Sequence, residues 1–249
     1  FFKNTNIPLP SIFEISNSGM CNRKCSFCPR SDPNFNHINE FINQDLHDKI
    51  YDELSFHNYS GSIIYSGFVE PLLDKKIYNQ IEDIRQKLPN ANIELITNGD
   101  PLNIARIEKL FKAGLSYLLI SAYDSEEQAN NLRNMLKQTN VDSSKYIVRN
   151  RYYGEEKDFG ITITNRAGNL DNAVYKIKSL NEPLKNRCNY PAYTFFIDYN
   201  GDVITCSHDW GKKLLMGNLY KESIFEIWTG VKFAQARKKL LKADRNFSP

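Results

Sequence analysis

Short apolar runs that alternate with amphipathic stretches constrain this chain more than any other feature. Residues 12–16 alternate as a strand, and beyond a loop Leu46, Ile50 and Leu54 recur every four residues, as one face of a helix does. Residues 62–66 form a second strand. Ile77, Ile81, Ile84 and Leu88 then step 4, 3, 4 along one helical face until Pro89 and Asn90 end it. Residues 93–97 close at Asn98-Gly99, Ile104, Ile107, Leu110 and Phe111 line a third helix, and residues 117–121 are a fourth, apolar strand. A fourth helix carries Leu132, Met135 and Leu136, and residues 145–151 and 159–163 read as fifth and sixth strands without a full helix between them. Strands alternating with amphipathic helices build a parallel sheet covered by helices. The expected fold class is therefore α/β, and six strands fall short of the eight that close a barrel.

From about Leu170 the pattern changes. Residues 193–198 and 203–206 flank Asn200-Gly201, the dipeptide of a tight hairpin, and helices follow at about 223–228 and 231–241. Two units are expected: residues 1–169, and a small α+β module over 170–249 whose aromatic core holds Tyr193, Phe195, Phe196 and Trp228. The 249 residues carry 32 Lys and Arg against 29 Asp and Glu, a net +3, and the one basic run is Arg237-Lys238-Lys239. Such a balance argues against nucleic acid or an anionic membrane as partner. The longest apolar stretch, around 115–122, is far below the roughly 18 to 20 residues of a membrane helix, so a soluble protein is expected.

The five cysteines are the chemical signal: three fall at Cys21, Cys25 and Cys28, and two lie far downstream at Cys188 and Cys206. An odd, clustered set is a poor disulfide framework and suits metal in a reducing compartment, here read as the cytoplasm. Cys21-x3-Cys25-x2-Cys28 sits on a loop directly after the first strand. Three thiolates hold three irons of a [4Fe–4S] cubane and leave the fourth iron open for chemistry. The alternative is zinc, which prefers four ligands and paired C-x2-C spacing.

With Phe27 as the aromatic before Cys28, this loop resembles that of the radical S-adenosylmethionine superfamily, and the resemblance extends over nearly the whole chain. It implies a partial (β/α)6 TIM-like barrel, a [4Fe–4S] cluster that chelates S-adenosylmethionine, and reductive cleavage to a 5′-deoxyadenosyl radical. Ser66-Gly67-Phe68-Val69-Glu70-Pro71 is similar to the family's glycine-rich segment, with Val69 where a glycine is usual; Glu70 is expected to meet the methionine ammonium. Asn98 and Ser121, at the ends of the third and fourth strands, fall where the family binds ribose and carboxylate. Each also reads as a turn or cap residue. Of Arg149 and Arg151, on alternating faces, one is expected at the cofactor carboxylate and the other in solvent. Arg166, in Asn165-Arg166-Ala167-Gly168, is the candidate for orienting substrate.

Cys188, the Asn200-Gly201 hairpin, Cys206 and Gly217-Asn218-Leu219 resemble the SPASM/twitch extension of the same superfamily, which implies an auxiliary [4Fe–4S] cluster. The hairpin can bring Cys188 and Cys206 together, and two further cysteines are expected beyond Pro249. His208 and Asp209 read as polar hairpin-end groups. Twitch enzymes of this length include dehydrogenases of the 2-deoxy-scyllo-inosamine type. The resemblance thus implies oxidation of a secondary alcohol of a carbohydrate or cyclitol, with electrons from a flavodoxin or ferredoxin. The alternative is a peptide-modifying enzyme that epimerises, crosslinks or oxidises a side chain.

Overall fold

The structure, a computed structural model, describes residues 1–25, 27–31, 33, 35–154, 157–158, 178, 181–209 and 211–246. Five strands, β1 (Ile12–Ile15), β2 (Ser62–Tyr65), β3 (Asn92–Thr97), β4 (Tyr117–Ala122) and β5 (Tyr146–Asn150), alternate with α1 (Gln44–Phe56), α2 (Ile77–Lys87), α3 (Ile104–Lys112) and α4 (Glu126–Lys137). A two-stranded pair, β6 (Tyr153–Gly154) and β7 (Lys157–Asp158), follows β5. The C-terminal part adds β8 (Thr194–Ile197), β9 (Asp202–Ile204), β10 (Leu215–Asn218), α5 (Ile224–Thr229) and α6 (Val231–Leu241). The sixth strand expected at 159–163 lies outside the described residues.

The helices form where their apolar positions repeat and a polar residue caps the start. Asn43, Asn103 and Ser125 each accept a hydrogen bond from a first-turn N–H of α1, α3 and α4. Leu46, Ile50 and Leu54 of α1 and Ile77, Ile81 and Ile84 of α2 are all buried against the sheet. One face of the sheet is covered by the helices, and there Phe13, Ile15, Ile63, Ile93, Leu95, Leu118 and Ile120 are fully buried; on the other face Ile64, Glu94, Ile96 and Leu119 stay partly exposed.

All of the larger strands join one eight-stranded sheet in the order β10-β9-β8-β1-β2-β3-β4-β5. β8 and β1 to β5 are parallel, while β9 and β10 run antiparallel after the Asn200-Gly201 turn, where Gly201 holds a φ of +79°. The hairpin expected at Asn200-Gly201 forms, with β8 and β9 antiparallel, and β8 also lies along β1, Phe195 opposite Phe13. The reason is backbone satisfaction, since β1 would otherwise carry a bare buried edge. Phe195 packs on Phe13 of the barrel as well as on Trp228 and Phe233, whereas Tyr193 is 40% exposed and stands outside the core.

α1 carries a second seam between the two parts. Glu53 accepts from the backbone N–H groups of Ile224 (3.0 Å) and Phe225 (3.1 Å), and Lys49 donates to the carbonyls of Leu219 and Glu222. Trp228 Nε1 reaches back to the Pro8 carbonyl at 2.9 Å. Among the described residues no helix is long and apolar enough to cross a membrane.

Candidate active site

The loop after β1 carries Cys21, Cys25 and Cys28 to the C-terminal ends of the strands, where open α/β sheets and barrels bind their ligands. Ionic and amide contacts pin this loop in place. Arg23 forks across Asp100, after β3 (2.5 and 2.6 Å), and Asp124, after β4 (2.6 and 2.8 Å). Asn22 adds a bond to Asp100 at 2.7 Å, and Asn98 donates to Asn22 at 2.8 Å. Arg30, 6% exposed, donates to the Gly19 and Phe68 carbonyls and so ties the loop's far end to the segment after β2.

These residues enclose a cavity of about 470 Å³ lined by all three cysteines, Phe27, Glu14, Glu70, Asn98, Tyr123, Arg149, Arg151, Ser207 and His208. A volume of that order suits a bound small molecule. The cavity is built from both parts of the chain, because Ser207 and His208 follow Cys206 directly.

Glu70 lies at this cavity, but its carboxylate is satisfied from within. Being 1% exposed, it accepts from Leu72 N (3.1 Å), Thr97 Oγ1 (2.7 Å) and Asn98 N (2.8 Å). Burial pushes its pKa up to about 7 against those hydrogen bonds. It therefore welds the loop after β2 to the end of β3. Gly67, at φ +108°, is the glycine this loop needs, since a Cβ there would stand 2.1 Å from Ser16 Oγ; Val69 has no positive φ and needs no glycine. Asn98 serves the same frame, with its side chain on Asn22 and 3.9 Å from Cys21 Sγ.

Ser121 is fully buried within β4 and bonds Tyr123, which lines the cavity in its place with its ring tilted against Phe27, centroids 5.1 Å apart. Arg149 and Arg151 both line the cavity, so the expectation that one faces solvent is corrected. β5 ends at Asn150, and strand alternation no longer governs Arg151. Arg149 keeps a buried Nε without a partner among the described residues. Arg166 lies outside the described residues.

Cys188 and Cys206 form no disulfide and are half-buried, and burial pushes the Cys206 thiol up to about 11, with Cys188 adding to the shift. Asp209 accepts from Lys213 N and Leu214 N and is a turn cap, as read from sequence, whereas His208 turns into the cavity. Sequence reasoning passed over Glu14, Tyr123 and Tyr190, and read His208 only as a hairpin-end group. For Glu14 a signal exists: a lone carboxylate between Phe13 and Ile15 in a strand buried on both faces.

The donor set suits an iron–sulfur cluster. The three thiols form no disulfide and share one cavity, and Cys21 Sγ receives N–H groups from Arg23 (3.4 Å) and Asn98 (3.9 Å), contacts that support a ligating thiolate.

Residues 15–150, more than half of the chain, match the radical SAM superfamily. The chain belongs to that superfamily. Residues 188–248 match the SPASM iron–sulfur cluster-binding domain, so this radical SAM protein carries both a cofactor-binding [4Fe–4S] cluster with S-adenosylmethionine and an auxiliary site. A curated relative from Niallia circulans, S-adenosyl-L-methionine-dependent 2-deoxy-scyllo-inosamine dehydrogenase, is 26% identical over 239 residues, covering 96% of this chain and 90% of the relative. The crystal structure of BtrN in complex with AdoMet and 2-DOIA matches with a TM-score of 0.80 and 25% identity, over 97% of this chain and 91% of that one. Native anSMEcpe with bound AdoMet shares the radical SAM fold at a TM-score of 0.61 and 13% identity, over 90% and 82% of the two chains.

Proposed function

We propose that this radical SAM enzyme is a dehydrogenase that oxidises a secondary alcohol of a cyclitol or related small polyol. The observation that carries the reading is the single cavity that joins Cys21, Cys25 and Cys28 to Ser207 and His208 beside Cys206. A substrate held there lies between the site of radical formation and a site able to take an electron. When bound, the first cluster and S-adenosylmethionine supply a carbon radical that removes a hydrogen atom from an unactivated carbon.

The chain itself supplies position and exclusion of solvent. Arg23, Asn22 and Asn98 fix the cysteine loop, Glu70 and Gly67 shape the wall after β2, and Arg149, Arg151 and His208 offer donors to a polyol. Arg166 is assigned to substrate orientation on the strength of the family segment it occupies. A flavodoxin or ferredoxin is the expected electron donor, and the reducing cytoplasm suits five cysteines that form no disulfide.

The test is anaerobic incubation of the reconstituted enzyme with S-adenosylmethionine, dithionite and 2-deoxy-scyllo-inosamine. Mass spectrometry is expected to show a ketone two hydrogens lighter, with 5′-deoxyadenosine in equal amount. Deoxyadenosine formed only with a peptide present would replace this reading by the peptide-modifying one.

A further inference from the structure

The floor of the cavity holds a carboxylate that nothing above employs. Glu14, on β1, is 9% exposed and lines the same cavity as the three N-terminal cysteines. Its oxygens are engaged by hydroxyls rather than by a cation: Ser66 Oγ donates to Oε1 at 2.5 Å, and Tyr190 OH donates to Oε2. Those two donors come from opposite walls. Ser66 precedes Gly67 of the loop after β2, and Tyr190 stands two residues after Cys188 and close enough to Cys206 to feel its charge. A buried carboxylate held only by hydroxyls costs stability, and such groups persist where they have a task. Burial raises its affinity for a proton, with both hydrogen bonds opposing the shift.

We propose that Glu14 accepts the hydroxyl proton of the substrate during its oxidation, and that Tyr190 positions this carboxylate beside the auxiliary cysteine pair. The assignment rests on the dehydrogenase reading. In the balanced sequence the carbinol carbon loses a hydrogen atom to the deoxyadenosyl carbon and becomes a ketyl radical. Its O–H bond then breaks, the proton moves to a Glu14 oxygen, the remaining unpaired electron passes to an oxidised iron–sulfur centre, and the C–O bond becomes a carbonyl. Proton and electron leave towards the same wall, since Tyr190 touches Glu14 and neighbours Cys206. Ser66 and Tyr190 hold the carboxylate still while each oxygen keeps a lone pair for the substrate.

The experiment compares wild type, Glu14→Gln, Glu14→Asp and Tyr190→Phe as reconstituted holoenzymes, with 2-deoxy-scyllo-inosamine deuterated at the oxidised carbon. Glu14→Gln is expected to lower ketone formation about 100-fold or more, as loss of an acid–base group does. Deuterium should still reach 5′-deoxyadenosine, and a substrate-centred radical should accumulate in freeze-quenched electron paramagnetic resonance spectra. Calorimetric affinity for the alcohol should stay within about threefold, Glu14→Asp should recover part of the ketone, and Tyr190→Phe should lower the ketone-to-deoxyadenosine ratio. A Gln variant as fast as wild type overturns the assignment, as does one that binds the alcohol weakly yet keeps the ketone-to-deoxyadenosine ratio, because the carboxylate would then only anchor substrate. Should Glu14→Gln fail to fold by circular dichroism, an unchanged ratio in Tyr190→Phe overturns it instead. Wild type that makes deoxyadenosine but no ketone sinks the dehydrogenase reading and Glu14 with it; ketone from wild type beside an equally competent Gln variant sinks Glu14 alone.

Discussion

Replacing Glu53 by Ala removes a side chain of α1 that closes the start of α5 from outside the C-terminal part. α5 has Ser223 as its cap, whose Oγ takes the Glu226 N–H, and the first two N–H groups, of Ile224 and Phe225, are taken by Glu53 Oε2 and Oε1. A hydrogen bond to a charged acceptor contributes about 1.5 to 3 kcal/mol when buried, and a helix N-terminus adds a few tenths for an anion. Glu53 is half-buried, so solvent screens it, and about 1 kcal/mol per bond remains, or about 2 kcal/mol for the pair. For a chain of this size that loss corresponds to a fall in Tm of about 4 to 8 °C. Glu53→Gln retains one acceptor oxygen and should lose about half as much. Urea unfolding of the cluster-free protein, followed by circular dichroism, measures both. A loss below about 0.5 kcal/mol for Ala, or equal losses for Gln and Ala, would refute the claim that two backbone bonds cross this seam.

Three further expectations concern the site and the core. Cys25→Ala should lower the iron of the reconstituted protein by about four per chain and abolish deoxyadenosine formation; retained iron and sulfide would contradict the ligand assignment. Glu70→Ala strands three buried donors, Leu72 N, Thr97 Oγ1 and Asn98 N, and should cost about 4 kcal/mol in denaturant unfolding of the cluster-free chain, against a loss under about 1 kcal/mol if the carboxylate is dispensable. His47, 1% exposed, has its pKa lowered from 6.5, first by burial; the unfolded chain therefore binds its proton more readily, and stability is lost as pH falls from about 6.5 towards the lowered value. His47→Leu should flatten that part of the stability curve, and an unchanged slope would show that the proton goes elsewhere.

The parallel sheet was legible because its signals are local. Leu46, Ile50 and Leu54 bury one face of a helix whatever lies elsewhere in the chain, and the cysteine spacing carries its chemistry in eight residues. Asn98 and Glu70 both line the cavity, but the frame they build there was not legible. Their hydrogen bonds run to Asn22, Thr97 and one another's segment, which no spacing reveals. The parallel pairing of β8 with β1 was illegible for a similar reason: Phe195 reads as a core residue of its own hairpin, and only the bare edge of β1 dictates its partner. Glu14 was visible as an oddity, a charge inside an apolar strand, yet its meaning depends on Ser66 and Tyr190, which lie far from it along the chain.

The pairing of β8 with β1 also sets an order of events during synthesis. The ribosome delivers β1 first, but the strand that covers its second edge arrives only with residues 194–197, after every barrel helix α1 to α4 has emerged. Until then the nascent barrel displays a row of open backbone groups next to the cysteine loop, the kind of edge that recruits other chains. The C-terminal module is thus a late-arriving guard of the barrel as well as a bearer of cysteines. A chain arrested after residue 169 should aggregate or bind chaperones where the released chain does not.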